Sequence, residues 1–107
     1  MTAPYRAAIT LVVMLLAACS RDSLPTQVER PVMSEHKGWH VSVTPSFNRT
    51  AERWRARVEV WPPERRPGVH PGVRVHFDGS SSDRRAIEEA GTAAARRYID
   101  DSLAVHR

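Results

Sequence analysis

The chain has 107 residues, with 16 Lys and Arg against 12 Asp and Glu and a formal net charge of +4. A mild excess of positive charge without a dense basic stripe does not indicate a nucleic-acid-binding protein. The single cysteine excludes an intramolecular disulfide. Apart from an apolar N-terminal segment, the chain is long enough for one small domain and too short for two.

The chain opens on a segment typical of an export signal. Arg6 provides positive charge, and an uncharged, largely apolar run follows from Ala7 to Ala18. This run is too short for a comfortable transmembrane helix, which needs roughly 20 residues, and it closes on small residues, as a signal cleavage site does. We therefore predict a cleaved signal peptide over residues 1–18.

The residues at the predicted cleavage site, Leu16-Ala17-Ala18-Cys19, resemble the lipobox of bacterial lipoproteins. The resemblance covers residues 1–19 and implies that Cys19 becomes the mature N-terminus and carries lipid. Several acyl chains would anchor the protein stably in a membrane, since each buried methylene contributes about 0.8 kcal/mol. The alternative is that Cys19 is an ordinary residue of a signal peptide or of an uncleaved anchor.

Ser20 stands where many inner-membrane lipoproteins have an aspartate. The resemblance therefore implies a location in the cell envelope, on the periplasmic side of the outer membrane rather than on the inner membrane.

The segment behind Cys19 is typical of a linker. It contains Pro25, Pro31 and scattered charges, and it has few periodic apolar positions. Such a composition favours a flexible chain. We predict a lipidated N-terminus and flexible tether over residues 19–37, followed by one folded domain over residues 38–107.

Three segments of this domain alternate apolar and polar residues with the period of two that is typical of a β-strand. They cover residues 39–44, 54–60 and 73–78. Each has one apolar and one polar face, which indicates an antiparallel sheet covered on one side. The connections, residues 45–53 and 62–72, are short enough for hairpins, so we predict a three-stranded meander.

A helix is predicted after the third strand. Ser80 and Asp83 have the spacing of a capping box, and the helix should run from near Ser82 to about Val105. Its predicted apolar stripe consists of Ile87, Ala90, Gly91, Ala94, Ala95, Tyr98, Ile99 and Leu103. Gly91 within this stripe indicates a close approach of the helix to the strands. The predicted fold class is α+β, in the order β-β-β-α, with the helix packed on one face of the sheet.

This helix, roughly 36 Å long, is longer than strands of about 23 Å. Its last turns therefore overhang the sheet. They either fray or pack against a second copy of the chain, which would give a homodimer.

The polar face of the sheet is the best candidate for a binding surface. Its candidate residues for a ligand or partner are Arg55, Arg57, Trp61, Arg74 and His76. Arginines beside an aromatic ring can hold an anionic or sugar-bearing ligand, so an anionic ligand or an envelope protein is the expected partner. The alternative, which the pattern favours, is a solvated face with cross-strand pairs of Arg and Glu. Trp61 is either a contact residue or a cover for the loop behind it.

The sequence contains no phosphate-binding loop and no hydrolase or metalloprotease motif. His76, Asp78 and a serine of residues 80–82 could assemble a hydrolase site, but a helix cap explains those serines better. His40, His76 and Asp78 could ligate a metal if their strands were neighbours. We predict that the protein is not an enzyme and that it has no cofactor and no metal site.

The β-β-β-α order resembles small uncharacterised proteobacterial domains and, more distantly, HicB-like antitoxin folds and a double-stranded-RNA-binding domain without its first helix. This resemblance lies in the order of elements and implies no function by itself. Our leading hypothesis is a non-catalytic, lipid-anchored envelope protein whose domain is an interaction or accessory module. The alternative is a cytosolic HicB-like regulatory domain whose N-terminus is not an export signal.

Overall fold

The computed structural model describes residues 26–105, so the predicted signal peptide and Cys19 lie outside the described residues. Within that range the elements are β1 (Thr26–Val28), β2 (Val32–His36), β3 (Trp39–Asn48), β4 (Arg53–Trp61), β5 (Val73–Val75) and α1 (Arg84–Val105). All strand pairs are antiparallel. The fold is α+β with a single C-terminal helix, as predicted, but the described sheet has five strands rather than three.

The sheet is built around the long pair of β3 and β4. On one side of β3, β2 pairs with its first half and β1 with its last three residues, so these two short strands together form one edge. At the other edge of the sheet, β5 pairs with residues 58–60 of β4. The predicted meander corresponds to β3, β4 and β5.

The prediction of a flexible tether up to residue 37 is wrong for residues 26–28 and 32–36, which form β1 and β2. A two-residue turn joins β2 to β3, with positive φ angles of 52° at Lys37 and 84° at Gly38, the geometry that tight hairpins require. The register places Ser34 and His36 beside the buried face of β3. Because this edge strand is largely exposed, polar residues are tolerated on both of its faces, and the alternation that marks a strand is missing.

The first predicted strand was expected to end before Pro45, but β3 continues to Asn48. Proline in a central strand normally removes a hydrogen bond from the ladder. Here the neighbouring edge is interrupted between β1 and β2, and the Pro45 carbonyl accepts a hydrogen bond from the Glu29 backbone N–H at 2.9 Å. Pro45 is tolerated because its missing N–H faces this interruption.

The core lies between the sheet and one face of α1. Its buried apolar residues are Val41, Val43, Val58, Val60, Val75, Ile87, Ala95 and Ile99. Trp39 and Phe77 pack against this cluster, as the alternation predicted. In the predicted helix stripe, however, Ala90 and Tyr98 are exposed, and the buried positions of α1 recur every four residues.

Gly91 marks a close approach of helix and sheet, as predicted. A Cβ on residue 91 would lie 2.9 Å from Cγ1 of Val43 and 3.3 Å from Cγ2 of Val58. The absence of a side chain therefore sets the distance at which α1 packs.

The helix is capped by Asp83 rather than by a box that includes Ser80. The Asp83 carboxylate accepts a hydrogen bond from the Ala86 N–H at 3.3 Å, and the backbone carbonyl of Asp83 accepts one from the Ile87 N–H at 3.2 Å. The Ser81 hydroxyl in turn accepts the Asp83 N–H at 3.1 Å. The prediction that Ser80 takes part in the cap was wrong, because Ser81 is held by a β-bridge to Trp54, which sets where the helix begins.

Among residues 26–105, no helix is long and apolar enough to cross a membrane.

The turn between β2 and β3 is joined to α1 by an ion-pair cluster. An oxygen of Asp100 lies 2.8 Å from Nζ of Lys37 and 2.9 Å from Nε2 of His36. The hydrogen bond from Lys37, followed by that from His36, lowers the pKa of Asp100 below its ordinary value of 3.8. The cluster ties the unpredicted edge hairpin to the helix, although its exposure to solvent keeps the contribution small.

We expect Asp100→Asn to lower the melting temperature slightly at pH 7. Because the native pKa of Asp100 is depressed, its contribution is complete above 3.8 and is lost as the pH falls through the lower native value. The difference from wild type should therefore vanish in strong acid, which thermal unfolding followed by circular dichroism at a series of pH values measures. Asp101→Asn, at an exposed neighbouring position, is the control and should match wild type throughout. An equal difference at all pH values would contradict the assignment.

Candidate functional site

Arginines dominate the face of the sheet that points away from α1. Arg53, Arg55 and Arg57 are exposed on β4, and the register places them opposite Asn48, Ser46 and Thr44 of β3. Arg74 of β5 is exposed on the same face, opposite Glu59. We call these four arginines the arginine face. For the three on β4, the cross-strand partner on β3 is neutral, so the expected cross-strand pairs with glutamate do not form there.

The carboxylate that balances this face is Glu59. Its Oε1 lies 2.8 Å from Nε of Arg57 on the same strand, and its register partner on β5 is Arg74. Arg53 donates to the Ser80 carbonyl at 3.1 Å. Within the described part of the chain, no ion pair involves Arg55. The arginine face therefore carries a surplus of positive charge.

Trp61 lies on the same face of the sheet, but it is 7% exposed. The loop over residues 62–72 covers it: the indole N–H donates to the His70 carbonyl at 2.9 Å, and Gly72 lies against the ring. Trp61 therefore packs against the 62–72 loop, which fits the second of its two expected roles and not that of an exposed contact residue. Its ring does not form an open stacking platform.

His76 is not part of a strand, because β5 ends at Val75 and not at Asp78 as predicted. Its side chain is 92% exposed and its Nε2 lies 3.8 Å from the Asp78 carboxylate. His40 lies on β3, and β4 separates that strand from β5. A metal site formed by His40, His76 and Asp78 requires neighbouring strands, and these strands are not neighbours. Nowhere in residues 26–105 do three His, Cys, Asp or Glu side chains form a group that could hold a metal ion.

The hydrolase arrangement considered from the sequence is not assembled either. The Ser81 hydroxyl accepts a hydrogen bond from the backbone of Asp83, and the Ser80 hydroxyl lies 3.3 Å from a guanidinium nitrogen of Arg53. Within residues 26–105, no hydrogen bond joins His76 to Ser80, Ser81 or Ser82.

The edge of β4 is open between two points of pairing. Val58 pairs with Val75, and the Trp54 backbone exchanges hydrogen bonds of 2.6 and 3.0 Å with Ser81. Three residues of β4 between these points face five residues of the opposite segment, 76–80. The opposite segment is two residues longer than the stretch of β4 that it faces, and a cleft lies beside Ala56.

This opening, which we call the β4 cleft, has two adjoining parts of about 310 and 280 Å³. Both are lined by Ala56, Arg57, Arg74 and Phe77. The larger part also reaches His76, and the smaller reaches Ser46, Arg55, Asp78 and Gly79. Four of the five predicted ligand-face residues, Arg55, Arg57, Arg74 and His76, thus border one cleft, and Trp61 does not line it.

The sequence indicated the arginines of this cleft but not its other walls. Ser46 lies in the predicted connection 45–53, Ala56 and Phe77 lie in predicted strands, and Gly79 lies between the third predicted strand and the helix. Asp78-Gly79 is the signal in the sequence that could have indicated an irregular segment here, because Asp and Gly are typical turn residues.

No protein-family model matches this chain, and neither a curated protein nor a solved structure matches it.

Proposed function

We propose that this protein is a lipid-anchored, non-catalytic protein of the cell envelope whose domain binds a partner through its arginine face. The observation that carries the anchor is the sequence Leu16-Ala17-Ala18-Cys19 behind an uncharged apolar run. In this proposal the signal peptide, residues 1–18, is removed and Cys19 receives the lipid. The outer membrane is the proposed location, because Ser20 rather than aspartate follows the cysteine.

The first strand supports a short connection to the membrane. Six residues, 20–25, separate Cys19 from β1, which begins at Thr26. The seven residue steps from Cys19 to Thr26 span at most about 25 Å when fully extended. A lipid on Cys19 would therefore hold the sheet close to the bilayer, and the domain would act on partners near the membrane surface.

The exposed arginines support an interaction module. Arg55 and Arg57 are exposed and border the β4 cleft, and their cross-strand neighbours on β3 offer no carboxylate. Arginine is well suited to planar, bidentate recognition of anionic groups. An anionic ligand or an acidic region of an envelope protein is the partner that this surface fits.

Metabolic labelling with a radioactive fatty acid tests the anchor. We expect the wild-type protein to incorporate label and to sediment with membranes. Cys19→Ala should lose essentially all label, because the sulfur that receives the lipid is absent, and a variant that is still exported should move to the soluble fraction. Ser20→Ala, which keeps the cysteine, is the matched control and should label like wild type.

Equal labelling of wild type and Cys19→Ala would contradict the proposal. So would a wild-type protein that carries no label and stays in the cytosol, which is the outcome expected of the alternative HicB-like regulatory domain.

A further inference from the structure

The open edge of β4 presents a backbone donor and a backbone acceptor. The N–H and C=O groups of Trp54 both bond to Ser81, so they point toward the β5 side of the strand. Backbone groups repeat their direction every second residue, and those of Ala56 therefore point into the β4 cleft. Within residues 26–105, no backbone hydrogen bond joins Ala56 to the 76–80 segment.

The opposite side of the strand agrees with this direction. Ala56 is the register partner of Pro45, which has no N–H and whose carbonyl accepts from Glu29 instead. The backbone of Ala56 thus does not exchange the usual pair of hydrogen bonds with β3. Among residues 26–105, neither polar group has a backbone partner, so both are available to a ligand or to solvent in the cleft.

The charge around these groups favours an anion. Arg55, Arg57 and Arg74 border the cleft, and the acidic groups nearby are Glu59 and Asp78. Glu59 contacts Arg57, and Asp78 is 92% exposed and lies beside His76. Three guanidinium groups against two carboxylates leave net positive charge next to the Ala56 N–H.

The length of the opening excludes a strand that runs through it. Val75 and Ser81 occupy the positions beside β4 at either end, and the four residue steps from Trp54 to Val58 span about 13 Å. An added strand would collide with both. A chain end has no such restriction, because its last residue can enter the opening while the rest of the chain leaves the plane of the sheet.

We propose that the β4 cleft binds the C-terminal residue of a peptide chain. The N–H of that residue donates to the Ala56 carbonyl. Its terminal carboxylate accepts from the Ala56 N–H and from the guanidinium groups of Arg55 and Arg57. Capture of a terminal carboxylate by backbone N–H groups is a known mode of peptide recognition, and arginine adds charge-assisted hydrogen bonds.

The inner wall restricts the terminal side chain. A residue that pairs with Ala56 places its side chain on the same face as the Ala56 methyl group. Phe77, which lines the cleft, packs against the core on that face together with Ala56. We therefore expect a small terminal residue, alanine or glycine, to bind better than leucine.

The test is a titration of the detergent-solubilised, ¹⁵N-labelled full-length protein with an uncharged hexapeptide that is acetylated at its N-terminus and ends in a free alanine. We expect a dissociation constant of about 0.1–1 mM for so few contacts, with the largest shift at the Ala56 amide. Amidation of the peptide should weaken binding by at least about tenfold, and so should the double variant Arg55→Glu, Arg57→Glu. Arg96→Glu reverses the charge of an arginine on α1 that does not line the β4 cleft. This variant is the control and should change affinity by less than about twofold.

Equal affinity of the amidated peptide, or shifts centred away from Ala56, would overturn the assignment. Inorganic phosphate that binds at the same place as tightly as the peptide would overturn the terminal residue as the ligand and leave a simple anion site. Circular dichroism of the double variant should match wild type, because both arginines are exposed. This inference rests on the proposed interaction module. The lipid anchor on Cys19 is tested by a separate measurement, so failure of peptide binding leaves the anchor unaffected, and failure of lipid labelling leaves peptide binding unaffected.

Discussion

Gly91→Leu is expected to destabilise the domain by at least about 3 kcal/mol, because overpacking of a closely packed interface costs about 1–3 kcal/mol even for small additions. The Cβ alone would lie 2.9 Å from Cγ1 of Val43, and a leucine adds three more carbons to the same space. The branched Val43 side chain has little rotamer freedom with which to move away. Urea unfolding followed by circular dichroism measures the loss.

Two further variants separate packing from helix propensity. Gly91→Ala improves helix propensity by about 1 kcal/mol, so its net loss should be at most about 2 kcal/mol. In a Val43→Ala background the closest methyl group is gone and Cγ2 of Val58 at 3.3 Å is the nearest remaining contact, so the same change should cost less than in wild type. Ala90→Leu, at an exposed position of the same helix, is the control and should stay within about 0.5 kcal/mol of wild type. A loss below about 1 kcal/mol for Gly91→Leu would contradict the close approach of α1 to the sheet.

Trp61→Ala is expected to cost about 3–4 kcal/mol, within the range for removal of a buried large aromatic ring. The ring is 7% exposed and lies under the 62–72 loop, with its N–H bonded to the His70 carbonyl. Its loss should release that loop while the packing of α1 on the opposite face remains. Unfolding in urea gives the stability, and hydrogen exchange of the 62–72 amides reports on the loop.

Trp61→Phe is the matched variant for this prediction. It keeps an aromatic ring and removes the donor to His70, so we expect a loss of about 1–2 kcal/mol, with part of it due to the smaller ring. If Trp61→Ala costs less than about 1 kcal/mol, the ring is a surface residue and returns as a candidate for ligand contact.

Side-chain periodicity predicted the central strands and the helix well. The alternation of β3 and β4 separates Val41, Val43, Val58 and Val60 from the polar face, and all four are buried. Gly91 was correctly interpreted because glycine lowers helix propensity, so its place within an apolar stripe indicates tight packing against a neighbouring element. These elements were predictable because each buries one face against the other, and burial leaves a regular trace in the sequence.

The edge strands left no such trace. Val32 and Met33 are exposed on β2, and Ser34 and His36 lie toward the helix side. β1 and β2 are held to β3 mainly by backbone hydrogen bonds, which every residue but proline can make. Their positions therefore follow from the pairing of distant segments and from the turn at Lys37-Gly38, not from the composition of the strands.

The candidate site combines the two cases. Arg55, Arg57 and Arg74 could be placed on one face from their alternation, because that face is set by the period of the strand. The β4 cleft could not, since it depends on where Val75 and Ser81 pair with β4 and on the unequal lengths of the two segments between those points. Trp61 had the correct face, but its burial depends on how the 62–72 loop folds over it.

The amino-acid sequence by itself determined which faces of β3, β4 and α1 are apolar and where the helix lies close to the sheet. The proposal that Cys19 carries a lipid anchor also rests on the sequence alone. Only the tertiary structure decided that residues 26–28 and 32–36 join the sheet, that Trp61 is covered, and that the backbone of Ala56 opens into a cleft lined by arginines. The physical reason is that burial of one face requires apolar side chains at a regular spacing along the chain, and this spacing is visible in the local sequence. Strand pairing and loop closure depend on contacts between segments far apart in the chain.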